Sequence, residues 1–91
     1  FGKFTAKDFR TWGANIELIK ELMKNKNSEL KKCIENVSIK LHNTPTICKS
    51  NYLDPELMEF YKNDREGFRE HFNFKTENTL YNQYIHFLED L

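Results

Sequence analysis

The two prolines of the chain each follow a residue whose side chain can cap a helix, giving Thr44-Pro45 and Asp54-Pro55. A proline at the first helical position sacrifices no hydrogen bond, because that N–H has no intrahelical partner, and the preceding oxygen can accept from an amide one turn further on. Both dipeptides therefore read as helix starts. Tyr52 falls at the junction between the two short helices they open.

The rest of the chain keeps the same periodicity. Thr5 with Asp8 three residues later has the form of a capping box, and Phe9, Trp12, Ile16, Ile19 and Met23 recur at helical spacing, which predicts a first helix from about Thr5 to Lys24. Gly13 inside it should cost on the order of 1 kcal/mol relative to Ala, so either a neighbour packs closely there or the helix bends. Residues 25–27 read as a loop. Ser28 can cap a second helix whose stripe is Leu30, Cys33, Ile34, Val37 and Leu41, with Lys31, Lys32, Glu35 and Lys40 toward water, ending near His42 or Asn43. The third runs from Pro45 through Cys48 and Lys49, and the fourth opens at Pro55 with Leu57, Met58, Phe60 and Tyr61. Arg65–His71 predicts a further turn or two, and Thr76 caps a last helix with Leu80, Tyr84, Phe87, Leu88 and Leu91 on one face. No β-alternation, internal repeat or glycine-rich phosphate loop is visible, so the expected fold class is all-α.

Bulk properties narrow the function. A chain of 91 residues supports one small domain of modest buried fraction. It begins with Phe1, and bare Phe1 and Phe4 would be costly at a true terminus, which argues for a segment of a longer polypeptide. Fourteen basic residues balance fourteen acidic ones, whereas a domain that grips nucleic acid through its phosphates usually carries a surplus of Lys and Arg. Composition thus speaks against a complete DNA-binding protein but allows one lobe of such a protein. Cys33 and Cys48 have no CxxC spacing, and His71 and His86 have no partner at ligand spacing, so neither a disulfide framework nor a metal site is expected. No apolar run approaches the roughly 20 residues of a membrane span.

Taken singly, the chemistry-bearing residues have plain explanations. A helical Arg is usually a solvated or ion-paired surface residue, and a Tyr between helices is usually half-buried with its hydroxyl on water. Their order and spacing say more. Residues 7–15, KDFRTWGAN, resemble the K-D-[LF]-R-T-[YFW]-x-x-N signature of poxvirus-type and bacterial type IB DNA topoisomerases. Residues 41–52, LHNTPTICKSNY, resemble the L-[GH]-[HN]-T-P-x-[IV]-[CS]-[KR]-x-x-Y segment of the same family, and Tyr52-Leu53-Asp54-Pro55 resembles the Y-[IL]-x-P stretch that follows its nucleophile. The resemblance spans about residues 4–61, and residues 62–91 form a helical tail outside it.

The resemblance implies the C-terminal part of a type IB catalytic domain acting on double-stranded DNA. It makes Tyr52 the nucleophile that forms a 3′-phosphotyrosine, Arg10 the second active-site arginine, and Asn43 the donor to the other non-bridging oxygen. A planar guanidinium suits the equatorial oxygens of a phosphoryl transition state. Many relatives carry His where Asn43 stands. An Asn amide still donates, without the charge or the proton shuttling. His42 next door would require a one-residue slide that Thr44-Pro45 and the tyrosine spacing exclude. Lys7, Thr11 and Lys49 are implied DNA-backbone contacts, each also readable as an exposed residue, and Trp12 reads as packing. No cofactor and no nucleotide is implied, since the phosphodiester energy is held in the protein–DNA linkage. The family's first arginine and general-acid lysine are missing, so the chain by itself is expected to be inactive, a monomer that packs against the upstream part of the domain, in an intracellular setting where DNA is handled. Two rivals remain: a tyrosine recombinase fragment, which usually shows H-x-L-R-H where Lys7–Thr11 stand, and a non-enzymatic helical interaction module, which would explain the neutral charge.

Overall fold

The computed structural model describes residues 6–24 and 29–90, with side chains from residue 11 onward. Among the described residues it is all-α. Six helices follow in order: α1 (Ala6–Met23), α2 (Leu30–Lys40), α3 (Pro45–Asn51), α4 (Pro55–Asn63), α5 (Arg65–His71) and α6 (Glu77–Glu89).

The expected helix starts are built as the sequence implies. Thr44 Oγ1 accepts from the Ile47 amide at 3.3 Å, an Asp54 carboxylate oxygen from the Glu56 amide at 3.0 Å, and Thr76 Oγ1 from the Thr79 amide at 3.3 Å. The Thr5–Asp8 box and the Ser28 cap lie outside the described residues. The α2 cap position falls on Glu29, whose side chain makes no capping bond. That helix also stops two or three residues earlier than its periodicity implied, at Lys40.

The early stop is a hydrogen-bonded terminus. The His42 amide donates to the Ile39 carbonyl at 3.2 Å and the Asn43 amide to the Ser38 carbonyl at 3.0 Å, the pair of reversed bonds that closes a helix when the next residue turns left-handed. That residue is His42, at φ 57°. A side chain there meets the following carbonyl, which is why glycine is the usual occupant of such a position.

Helix α1 is the centre of the molecule. Ala14, Leu18, Ile19 and Leu22 are fully buried, as α2 packs along one flank of α1 and α6 along another. The expected stripe of Trp12, Ile16, Ile19 and Met23 is therefore only one edge of the buried surface, with Trp12 and Met23 half-buried, because a helix covered on two sides needs a wider apolar face than one lying on a single neighbour. Phe9 lies outside the described side chains. Gly13 is not a close-packing site, since a Cβ built there would meet nothing within 4 Å, and α1 continues through it. The far end of the core is aromatic: Phe68 lies 4.8 Å from Phe72 and 5.1 Å from Tyr61, ring centre to ring centre, and Trp12 lies 5.0 Å from Tyr84. On α6, Leu80 and Tyr84 are buried, but Leu88 is exposed and Leu91 lies outside the described residues.

Charge ties the helices around α1. Lys40 of α2 reaches Glu17 at 2.9 Å and Glu21 at 3.1 Å, and Lys20 reaches Glu77 of α6 at 2.6 Å. Burial pushes the Glu21 carboxyl upward, but hydrogen bonds from Lys24, Lys40 and Asn36 outweigh it and hold it below its ordinary value of 4.5. A carboxyl depressed by folding adds stability that is present above its unfolded pKa and lost as pH falls through the folded one. Glu21→Gln is expected to lower the melting temperature at neutral pH and to leave a shallower loss of stability below pH 4.5 than the parent shows, measured by thermal unfolding across an acid pH series.

Candidate functional site

Tyr52 closes α3. Its amide donates to the Cys48 carbonyl at 3.0 Å, and at φ −120° and ψ −31° its backbone leaves the helix, so the ring emerges beside the α2–α3 turn. The ring is half-buried against the core and does not lie deep in the apolar interior. Among the described residues it borders two concavities.

The first, of about 460 Å³, is lined by Lys40, Leu41, His42, Asn43 and Tyr52. Two of the residues singled out in the sequence, Asn43 and Tyr52, are thus brought together across nine positions of chain. The left-handed turn at His42 and the Thr44 cap hold Asn43 between α2 and α3. Among the described residues, neither the Asn43 side-chain amide nor the Tyr52 hydroxyl is engaged in a hydrogen bond within the protein, so both are available to a ligand. Lys40 stands at the same pocket with its ammonium held by two carboxylates, and the hydrogen bond it donates to Glu17, against the opposing effect of burial, raises its pKa above the ordinary lysine value.

The second concavity, of about 390 Å³, lies on the other side of the ring and joins Tyr52 to α1 through Thr11, Trp12 and Asn15. Here the sequence reading missed a residue. Asn15 appeared only as the last letter of a motif, yet its side chain is fully buried and hydrogen-bonded through both its nitrogen and its oxygen. Its amide nitrogen donates to the Thr11 carbonyl at 2.8 Å and to the Tyr52 carbonyl at 3.0 Å, while its oxygen accepts from the Asp54 amide at 2.8 Å. One carboxamide thus staples the segment 52–54 to the turn of α1 that follows Arg10. The available signal was a polar residue flanked by buried Ala14 and Ile16, but its partners, 37 and 39 residues away, cannot be read from spacing.

The other singled-out residues divide as follows. Arg10 and Lys7 belong to α1, and their side chains lie outside the described residues, so whether the guanidinium faces Tyr52 is an expectation. Thr11 borders the second concavity with Tyr52. Lys49 does not join the Asn43–Tyr52 pocket; it lines a different groove between α2, α3 and α4. His42 is exposed. Tyr61 and Tyr84 are buried packing residues, and burial, with a smaller contribution from Asp54, raises the Tyr84 phenol well above its usual value. His71 is half-buried, its Nε2 2.9 Å from the Gln83 carbonyl. Among the described residues no group of His, Cys, Asp and Glu has the arrangement of a metal site, and no helix is long and apolar enough to cross a membrane.

Comparison with known proteins finds a relative by sequence. The chain is 36% identical, over an alignment of 83 positions that covers 78% of its own length, to the DNA topoisomerase 1B of Acanthamoeba polyphaga mimivirus. It has a type IB topoisomerase-like relationship over this stretch, which spans 24% of that relative's length. No family model matches the chain, and no solved structure matches it.

Two substitutions test the geometry. Asn15→Ala leaves the Tyr52 carbonyl and the Asp54 amide without partners and is expected to cost about 2–3 kcal/mol, read by chemical denaturation, with local amide exchange rising first at Leu53 and Asp54. His42→Gly is expected to raise stability by about 0.5–1 kcal/mol in the same assay, because relief at the left-handed position exceeds the added freedom of the unfolded chain.

Proposed function

We propose that these residues form the C-terminal part of a type IB DNA topoisomerase catalytic domain, which relaxes supercoiled duplex DNA by transient single-strand cleavage without a nucleotide cofactor. In this reading the Tyr52 oxygen attacks phosphorus and the bond from phosphorus to the 5′-oxygen breaks. A 3′-phosphotyrosine and a free 5′-hydroxyl result, and reversal of the same step reseals the strand. Arg10 and the Asn43 amide donate to the two non-bridging oxygens, and the phenolic proton leaves to solvent. The leaving oxygen takes its proton from a general acid on an upstream part of the domain. Lys7 and Thr11 contact the DNA backbone beside Arg10.

The observation that carries the reading is the shared pocket of Asn43 and Tyr52, both with free polar ends, on a segment stapled by Asn15 to the helix that holds Arg10. Similarity to the mimivirus topoisomerase over most of the chain supports the same class. Phosphoryl transfer asks of a protein mainly orientation and stabilisation of charge on the phosphate oxygens, and a rigid junction between capped helices supplies the first. Asn43 donates without carrying charge, so its contribution does not depend on its own protonation.

The deciding measurement is covalent adduct formation on labelled duplex DNA by a catalytic polypeptide that includes these residues. Tyr52→Phe is expected to abolish the adduct while leaving the fold and duplex affinity intact, and Asn43→Ala to slow adduct formation by about 10²-fold, with Asn43→His retaining most of the rate. An adduct that persists in the Tyr52→Phe protein would overturn the assignment. Adduct formation on a single duplex, with no paired site, separates this reading from a recombinase.

A further inference from the structure

We propose that the groove between α2, α3 and α4 is a second contact surface for the phosphate backbone of duplex DNA, with Lys31, Lys49 and Lys62 as its charged contacts. The inference rests on the reading that the chain handles DNA, and it adds Lys31 and Lys62, which belong to none of the motifs. The groove encloses about 390 Å³ over a floor that includes Leu30, Ile34 and Pro45, and Glu35 is its only acidic lining residue. All three lysines are exposed.

What distinguishes this groove is the distribution of paired and unpaired charge. Every lysine in a salt bridge among the described residues, Lys20, Lys24 and Lys40, is matched to Glu17, Glu21 or Glu77 around α1. Lys31, Lys49 and Lys62 have no such partner among the described residues, although one comes from each of three helices and all converge on one groove. Although fourteen basic and fourteen acidic residues cancel over the whole chain, this groove is locally positive, with three lysines against the one carboxylate of Glu35 in its lining. An anionic polymer with apolar sugar faces complements that chemistry: ammonium heads meet phosphates while lysine stems and the floor side chains cover deoxyribose carbons. Lys49 also lies on α3, three residues before Tyr52, so a strand passing the Tyr52 pocket has this surface on the adjoining side of the same short helix.

The test uses the 91-residue chain carrying Tyr52→Phe, a duplex oligonucleotide, and fluorescence anisotropy across a salt series, with circular dichroism confirming the fold of each variant. The Lys31→Ala/Lys62→Ala double variant is expected to weaken binding at low salt by about tenfold or more. It should also make the slope of log affinity against log salt shallower by about 1.8, the loss of two phosphate contacts. Lys75→Glu, which removes the same two units of net charge at a lysine outside the groove, is expected to leave the slope within about 0.5 of the parent. Equal effects of the two variants, or no measurable duplex binding by the parent, would overturn the proposal. Its failure is separable from failure of the catalytic reading: covalent adduct formation with groove variants that bind as the parent does sinks the groove alone. The expected slope change without any adduct from intact Tyr52 in the complete catalytic polypeptide sinks the catalytic assignment alone.

Discussion

The side chain of Asn15 is the interaction on which the rest of the arrangement depends. A helix interior satisfies its own backbone, so a buried carboxamide within it must find partners elsewhere or pay for its desolvation. Asn15 finds them in its own helix at Thr11 and in the exit of α3 at Tyr52 and Asp54. Because a carboxamide both donates and accepts at fixed geometry, it holds two points of the 52–54 segment at once, which sets orientation as well as distance. A single apolar contact would set neither.

That staple works because both sides of it are stiff. The segment it holds lies between two short helices, each started by a side-chain cap and a proline, so its few free backbone angles are bounded at both ends. On the other side, α1 is immobilised by burial against α2 and α6 and by the ion pairs of Glu17, Glu21 and Lys20. The left-handed turn at His42 completes the frame by swinging the chain from α2 to α3 in four residues and leaving Asn43 beside the Tyr52 ring. Local strain at one residue is tolerated because two backbone hydrogen bonds and the Thr44 cap over-determine the turn.

The charge pattern follows from the same organisation. Lys40 of α2 is taken up by the carboxylates of α1 and Lys20 of α1 by Glu77 of α6, whereas Lys31, Lys49 and Lys62 converge on a groove lined by a single carboxylate. A net charge of zero is consequently a poor guide to what this surface can bind, since binding depends on where charges are compensated and not on their sum.

Much was legible in the amino-acid sequence because it depends on near neighbours. The all-α class, the starts of α3, α4 and α6, and the stripe of α2 follow from capping chemistry and the 3.6-residue period, which act within one or two turns. The junction position of Tyr52 is likewise local. Tertiary structure decided what no local rule contains. It determined that α1 is covered on two sides, burying Leu18 and Leu22 beyond the expected stripe, and that α2 stops at Lys40 through a left-handed His42. It also decided that Lys49 turns away from the Asn43–Tyr52 pocket, and that Asn15 reaches a carbonyl 37 residues on. The physical reason is common to all of these: caps and periodicity are properties of a single helix, whereas burial and long-range hydrogen bonding belong to the packing of several.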